Sequence, residues 1–297
     1  MKTYIIKDYQ KGVENDQALI GYLAATHWVW PYAYDLEDLI RIHARADFDP
    51  DTRHYCFLDD EMVGYSFSLI EPDSDGSSSK ATFEFPRVLP GHESADELLI
   101  EKAMIVLREK GVSRVTGRVT TMCPDQIRLA EKSGFSLNSW GYKLYYSYEI
   151  SSGSLDLSSR TVRDIDPEND LDECARIAAR WYKRPQDWCR SLLADWHEEG
   201  VISHSGVWQD GELVASCMAA PNSIRPSTAA IYYIYAPDEE SLKPMLADVV
   251  SKCAAKGITN LIVDLINEHL LFEPIYQALG FEKVAEWAKC EKILRDN

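Results

Sequence analysis

Residues 110–135 read KGVSRVTGRVTTMCPDQIRLAEKSGF and residues 256–281 read KGITNLIVDLINEHLLFEPIYQALGF. From Lys-Gly to Gly-Phe the two stretches have one length and need no gap. Each holds a buried-looking strand, a connection and an amphipathic helix closed by glycine. Other matches appear upstream in the same order. LDDEMVGYSFSLI (58–70) answers to WQDGELVASCMAA (208–220), each a strand, an acidic turn and a second strand. AATHW (24–28) answers to IAARW (177–181), and a tryptophan, Trp140 or Trp287, follows each Gly-Phe. Matches in the same order twice imply a duplicated domain. The Ser/Gly-rich SSGSLDLSS at 151–159 suits a linker. The expected organisation is therefore one domain over 1–150, a linker over 151–159 and a second domain over 160–297.

Each half predicts the order strand, two helices, three strands, helix, strand, helix and closing strands. In the long helix of the first half, Leu98, Leu99, Ala103, Val106 and Leu107 recur at helical spacing and predict one buried stripe. PDSDGSSSK (72–80) is expected to be a surface loop.

Composition bounds the function. The 297 residues are 45% hydrophobic and 27% charged, enough for two packed cores. No apolar run reaches the roughly 18 residues a bilayer span needs, and MKTYIIKDYQ lacks a secretory pattern, so a cytoplasmic location is expected. A net charge of −17 argues against nucleic-acid and membrane partners, which need a basic face. It would favour a cationic amine, although solubility alone is the better account of the acidic charge. Seven scattered cysteines without a C-x-x-C pair suit reduced core thiols. Dinucleotide-fold, P-loop, zincin and hydrolase-elbow motifs are absent, and the histidines have no ligand spacing, so no metal is expected.

The helix-strand-helix unit ending in Tyr-x-x-x-Gly-Phe resembles the GNAT superfamily of acyl-CoA-dependent N-acyltransferases, and the resemblance covers nearly the whole chain, twice. It implies an α/β (α+β) fold: two tandem GNAT-like domains, each a mixed, mostly antiparallel sheet flanked by helices and splayed in the middle. It also implies transfer of an acyl group from acetyl-CoA or another acyl-CoA to a small amine. In that family an Arg/Gln-x-x-Gly-x-Gly/Ala loop at a helix N-terminus holds the pyrophosphate, because free N–H groups and glycine let phosphate oxygens approach.

Here VLPGHESADELL (88–99) puts Pro90 and Glu93 at the Arg/Gln and glycine positions, with Ala95 at the small one. In YAPDEESLKPML (235–246) the glycine position holds Glu240 and the small position Leu242. The implied cofactor contacts are Val88, Leu89, Ser94 and Ala95 in the first half, and Tyr235, Ala236, Ser241, Leu242 and Lys243 in the second. Arg87 and Arg128 are further basic candidates. Ser94 and Glu97 form a capping-box pattern and Ser241 is a second candidate cap, each able to occupy donors a phosphate would use. A non-catalytic tandem fold that binds a ligand or partner is the alternative that these replacements support.

For the reacting groups, the resemblance places Tyr276 at the acid that protonates the leaving thiolate, where the first half has Ala130. It places Glu84 at the base, with Ile231 as the counterpart. Asp264, a carboxylate within the apolar LIVDLI, is the second-half candidate for base or amine binding, and a structural ion pair is its other reading. Its counterpart is Arg118. The aromatic segments THWVWPYAY (26–34) and RWYKRPQDW (180–188) suggest an acceptor pocket, with Trp181 and Trp188 as substrate contacts or core.

Overall fold

The computed structural model describes residues 2–27, 33–45, 48–72, 79–150 and 161–294. The 151–159 stretch, Trp28 and most of the 72–80 loop lie outside the described residues.

In chain order the first elements are β1 (Ile5–Asp8), α1 (Glu14–His27), α2 (Leu36–His43), β2 (Arg53–Leu58), β3 (Glu61–Pro72) and β4 (Ser79–Val88). They are followed by α3 (Ser94–Glu109), β5 (Val112–Thr120), α4 (Pro124–Lys132) and β6 (Ser136–Glu149). The second series is β7 (Val162–Asp164), α5 (Leu171–Tyr182), α6 (Gln186–Glu199), β8 (Ser203–Gln209), β9 (Glu212–Pro221) and β10 (Thr228–Tyr235). It ends with α7 (Glu239–Ala255), β11 (Asn260–Ile266), a 3-10 helix (Asn267–Phe272), α8 (Glu273–Ala278) and β12 (Glu282–Ile293).

The chain forms two compact units, and their composition differs from a simple cut at the linker. The first unit is Met1–Tyr142 with Glu286–Asn297, and the second is Lys143–Ala285. In the first the strand order is β1-β2-β3-β4-β5-β12, and in the second it is β7-β8-β9-β10-β11-β6. Each unit thus takes its last strand from the other half of the chain. β12 pairs antiparallel with β5 from Trp287↔Thr120 to Ile293↔Arg114. β6 pairs antiparallel with β11 from Asn260↔Glu149 to Ile266↔Lys143. Both strands follow the same Gly-Phe ending, so a repeat comparison has no means of telling which half each one joins.

The hairpins are local consequences of sequence. β2–β3 turns at Leu58↔Glu61 and β8–β9 at Gln209↔Glu212. Both central residues of each turn are left-handed: Asp59 and Asp60 at φ 49° and 67°, Asp210 and Gly211 at φ 52° and 87°. Structurally Leu58 therefore answers to Gln209, one residue away from the match read off the sequence.

Among the described residues each unit has a parallel pair that opens into a fork. β4 and β5 pair from Ser79↔Val112 to Phe83↔Gly117, then diverge. β10 and β11 pair from Thr228↔Asn260 to Ile231↔Val263, then diverge. In the first unit the fork is filled: a Cβ on Gly117 would stand 3.0 Å from the Phe85 ring and from Cys290 Sγ. The buried stripe of α3 is Leu99, Ile100, Ala103, Met104, Val106 and Leu107, and Leu98, expected in it, is exposed. In the second unit one apolar cluster joins α5, α7 and α8 to their sheet.

Candidate active site

The fork of the second unit carries Asp264 as the first β11 residue beyond the last parallel pair. Asp264 faces Tyr145 across the β6 ladder. Lys143, two residues back on β6, reaches its carboxylate at 2.7 Å, with each side chain about one-fifth exposed (20% and 21%). The ion-pair reading of Asp264 is thus realised. Tyr145 is 3% exposed, and its hydroxyl has no hydrogen-bond partner among the described residues.

Successive strand residues point to opposite faces, so Tyr146 leaves the sheet on the other side from Tyr145. There its ring lies 6.4 Å from that of Tyr276 on α8. Asp264 and Tyr276 therefore occupy opposite faces of the forked pair. α8 starts on a proline in its first turn and stops at Gly280, whose φ is 90°. This short helix lays Tyr276 inward, fully buried, edge-on to Phe281 at 5.2 Å. Burial pushes its phenol well above the usual range, and the hydroxyl has no partner among the described residues. A buried hydroxyl left unmatched costs about 1–3 kcal/mol, so the position needs an account beyond ring packing.

On the other arm of the fork, β10 bulges between Ile231 and Tyr233. The Tyr232 carbonyl accepts a hydrogen bond from the Tyr182 hydroxyl at 2.9 Å. Trp196 packs on Tyr232 at 4.9 Å, and Tyr182 touches Trp188 edge-on at 6.0 Å. Trp188 is 48% exposed, with Arg184 5.9 Å from its ring, whereas Trp181 is core. The acceptor-side candidates are thus separated: one is a wall, the other a surface ring.

Beyond the bulge, the Ala236 N–H donates to His269 Nε2 at 3.3 Å. His269, from the 3-10 helix, is 2% exposed and lies 4.4 Å edge-on to Trp181. Burial pulls its pKa down to about 4. Tyr235 lies 6.5 Å from the same imidazole.

The helix ends do not fit a pyrophosphate as they stand. α7 is capped by Asp238, whose Oδ1 accepts from the backbone N–H and the hydroxyl of Ser241, both at 2.8 Å. Ser241 is therefore a donor to the cap and not the cap expected from sequence. Leu242 is core, and Lys243 is paired with Glu239. In the first unit the expected Ser94–Glu97 capping box does not form. Glu93 stands at the α3 cap with no side-chain bond to the helix and accepts from the Gly91 N–H at 2.6 Å, while Glu97 pairs with Lys132. Val88 and Ala95 are buried in a small apolar cluster. Leu89 N–H bonds Val63 O at 2.8 Å. Arg128 is paired with Asp125, and Arg87 donates to the Tyr65 phenol. Carboxylates and backbone carbonyls thus occupy the donors that phosphate oxygens would need.

Glu84 sits at the mouth of the first fork, 2.6 Å from Arg118, and the two close it as an ion pair. Ala130, where the second unit has Tyr276, is fully buried. In their ladders Glu84 pairs with Phe67 and Tyr233 with Met218, which puts Tyr233 rather than Ile231 at Glu84's place. Ile231 answers instead to Phe83, since each closes its parallel pair, and the bulge at Tyr232 carries the next ladder position to Tyr233.

Sequence reasoning missed a buried polar chain around Tyr233. Its hydroxyl lies 2.7 Å from both Ser216 Oγ and His204 Nε2, and His204 Nδ1 lies 2.7 Å from His197 Nε2. Burial first, then His197 and Lys252, pull His204 down to about 3. The residues come from β8, β9, β10 and α6, so no local motif announces them; the only signal is SHS within an otherwise apolar strand. Among the described residues no cluster of side chains suits a metal ion. No described helix is long and apolar enough to cross a membrane.

No family model and no curated protein matches the chain. Solved structures do. A GCN5-related N-acetyltransferase from Sphaerobacter thermophilus is similar at TM-score 0.68 and 12% identity, over 99% of this chain and 96% of that one. A tandem GNAT protein from the clavulanic acid biosynthesis pathway matches at TM-score 0.68 and 14% identity, over 99% and 100%. A GNAT-family acetyltransferase from Colwellia psychrerythraea gives 0.64 and 13%, over 97% and 99%. At these identities the likeness concerns the fold. Two forked, mixed sheets in one chain, matched end to end by a tandem GNAT structure, give this protein the tandem GNAT acetyltransferase fold.

Proposed function

We propose that the second unit transfers an acyl group from acetyl-CoA or another acyl-CoA to a small amine. The observation that carries this is the unmatched Tyr276 hydroxyl, buried on one face of a fork whose other face presents Asp264. The fork offers an extended arm a passage between strands with unpaired backbone edges. On the Asp264 face, the carboxylate holds an ammonium and takes its proton; the freed amine attacks the thioester carbonyl. As the carbon–sulfur bond breaks, the nitrogen releases its second proton to solvent, the departing thiolate takes the Tyr276 proton on the opposite face, and solvent reprotonates Tyr276. Tyr235 and Ala236 line the end of the β10 arm, where the Ala236 N–H is held by His269 Nε2. Ser241, Leu242 and Lys243 form the helix end, where the Asp238 cap makes pyrophosphate binding weak. Trp188 borders the amine side, with Trp181 behind it as wall. The first unit, with Ala130 for the acid and Glu84 tied to Arg118, is assigned a supporting role; Val88, Leu89, Ser94 and Ala95 belong to its core and its helix entry.

A second reading, a non-catalytic ligand- or partner-binding module, is favoured by the occupied donors at Ala236 and Ser241. Calorimetry with acetyl-CoA separates them. Binding tighter than about 100 μM, together with amine-dependent thiol release, supports the enzyme, and no detectable heat supports the module.

A further inference from the structure

We infer that the acceptor is an α-amino acid, held by both of its charges between Asp264, Lys143 and the Tyr145 hydroxyl at the mouth of the second fork. The inference rests on the acyltransferase reading of that unit and names its substrate class.

The argument begins with the ladder. Asp264 and Tyr145 are direct partners across β6–β11, and Ile266 and Lys143 are the next partners on the same face. Three groups of different polarity thus share one face: a carboxylate, an ammonium and a phenol. The carboxylate and ammonium meet at 2.7 Å and remain about one-fifth exposed, so water and small solutes reach the pair. The phenol is the group that the fold leaves unsatisfied: Tyr145 is 97% buried and its hydroxyl donates to nothing among the described residues. Burial raises that phenol above its usual range and keeps it a donor; Arg225 works against the rise and Asp264 adds to it. A carboxylate that reached the phenol would accept its proton and sit in the field of Arg225, on the face that also carries Lys143.

A simple amine would satisfy Asp264 but would leave Lys143 displaced and Tyr145 still unmatched. A ligand with ammonium and carboxylate on one carbon inserts into the existing pair: its ammonium faces Asp264 and its carboxylate faces Lys143 and Tyr145. Both ionic contacts are replaced, and the orphaned donor gains an acceptor. Because Lys143 and Asp264 stand one hydrogen bond apart, opposite charges on one carbon fit better than charges separated by a longer chain. Tyr182, whose phenol senses Asp264, and the Trp188 and Trp196 rings border the same face and offer contact to an apolar or aromatic side chain.

The test uses the full chain. A panel of L-α-amino acids is compared with the corresponding methyl esters and decarboxylated amines, both by calorimetry without acyl donor and by thiol release from acetyl-CoA. At least one amino acid is expected to bind and react, with its ester and decarboxylated amine poorer by about tenfold or more. Lys143→Gln is expected to raise KM for the amino acid about tenfold relative to its decarboxylated amine, so that the preference for the amino acid collapses, with Lys143→Arg restoring part of the loss. Tyr145→Phe should act in the same selective direction. Turnover of esters or plain amines equal to that of amino acids overturns the inference and leaves the acyltransferase reading standing. Binding of amino acids without any binding or use of acetyl-CoA overturns the acyltransferase reading, and with it the acceptor role. Neither heat nor turnover with any amino acid overturns the inference outright.

Discussion

Replacing Tyr276 by phenylalanine should make the protein more stable and less active at once. The hydroxyl is fully buried and lacks a partner among the described residues, while the ring packs on Phe281 and Tyr146. Phenylalanine keeps those contacts and removes an unmatched donor whose burial costs about 1–3 kcal/mol. A gain of about 1–2 kcal/mol is therefore expected, or about 2–4 °C in Tm per kcal/mol for a domain of this size. Tyr146→Phe is the internal control. Its hydroxyl donates to Glu273 at 2.5 Å and accepts from Gln277 at 3.1 Å, so its loss should destabilise by about 1–3 kcal/mol. Denaturant unfolding of both variants measures the stabilities, and thiol release measures turnover, expected to fall about 100-fold for Tyr276→Phe. A Tyr276→Phe protein destabilised as much as Tyr146→Phe would refute the orphaned hydroxyl. Unchanged kcat would leave Tyr276 a packing residue.

Three further outcomes follow from the same geometry. His204 and His269 are neutral when folded, with pKa values drawn down to about 3 and about 4 by burial, whereas in the unfolded chain they titrate near 6.5. Below about pH 6.5 the unfolded state binds more protons, so stability should fall by about 1.4 kcal/mol per pH unit for each histidine until its folded pKa is passed. Melts at pH 7, 6 and 5, with His204→Asn removing one histidine's share of the slope, check the sign. All seven cysteines are buried, and burial raises the Cys123, Cys174, Cys253 and Cys290 thiols to about 12. The native protein should be silent to a disulfide reagent until denaturant exposes the thiols, and prompt reaction would contradict their burial. Ending the chain after Ala285 removes the part of β12 that pairs with β5, and with it buried Ala288, Cys290 and the following Leu294, and bares the edge of β5. Protection of β5 amides against hydrogen exchange should collapse, and its survival would contradict the exchange of strands.

Much of this fold was legible in the chain. The Lys-Gly to Gly-Phe repeat, the acidic hairpin turns and the helical stripe of α3 each reflect local periodicity or left-handed turn residues, which the residue order itself dictates. The strand exchange was not legible, because β6 and β12 have equivalent neighbours in either pairing and only tertiary packing chooses. The equivalence of Glu84 and Ile231 failed for a related reason: the ladder register puts Ile231 in the place of Phe83, a bulge follows at Tyr232, and nothing in AAIYYIYAP marks either. Asp264 was conspicuous as a charge in an apolar strand, and it stands just beyond the last parallel pair of β10 and β11. Lys143 and Tyr145 were invisible as its partners, since they lie more than a hundred residues away on a strand expected to belong to the first domain. The histidine chain shares that problem, with four elements contributing one side chain each.

Hydrogen exchange with and without acetyl-CoA tests the central claim most directly, because it asks which fork receives the thioester arm and needs no knowledge of the acceptor. Slowed exchange is expected at Tyr233 to Ala236 on β10 and Asp264 to Ile266 on β11, with the β4–β5 fork unchanged. Protection confined to β4 and β5, or no change at either fork, would contradict the assignment of acyl transfer to the second unit.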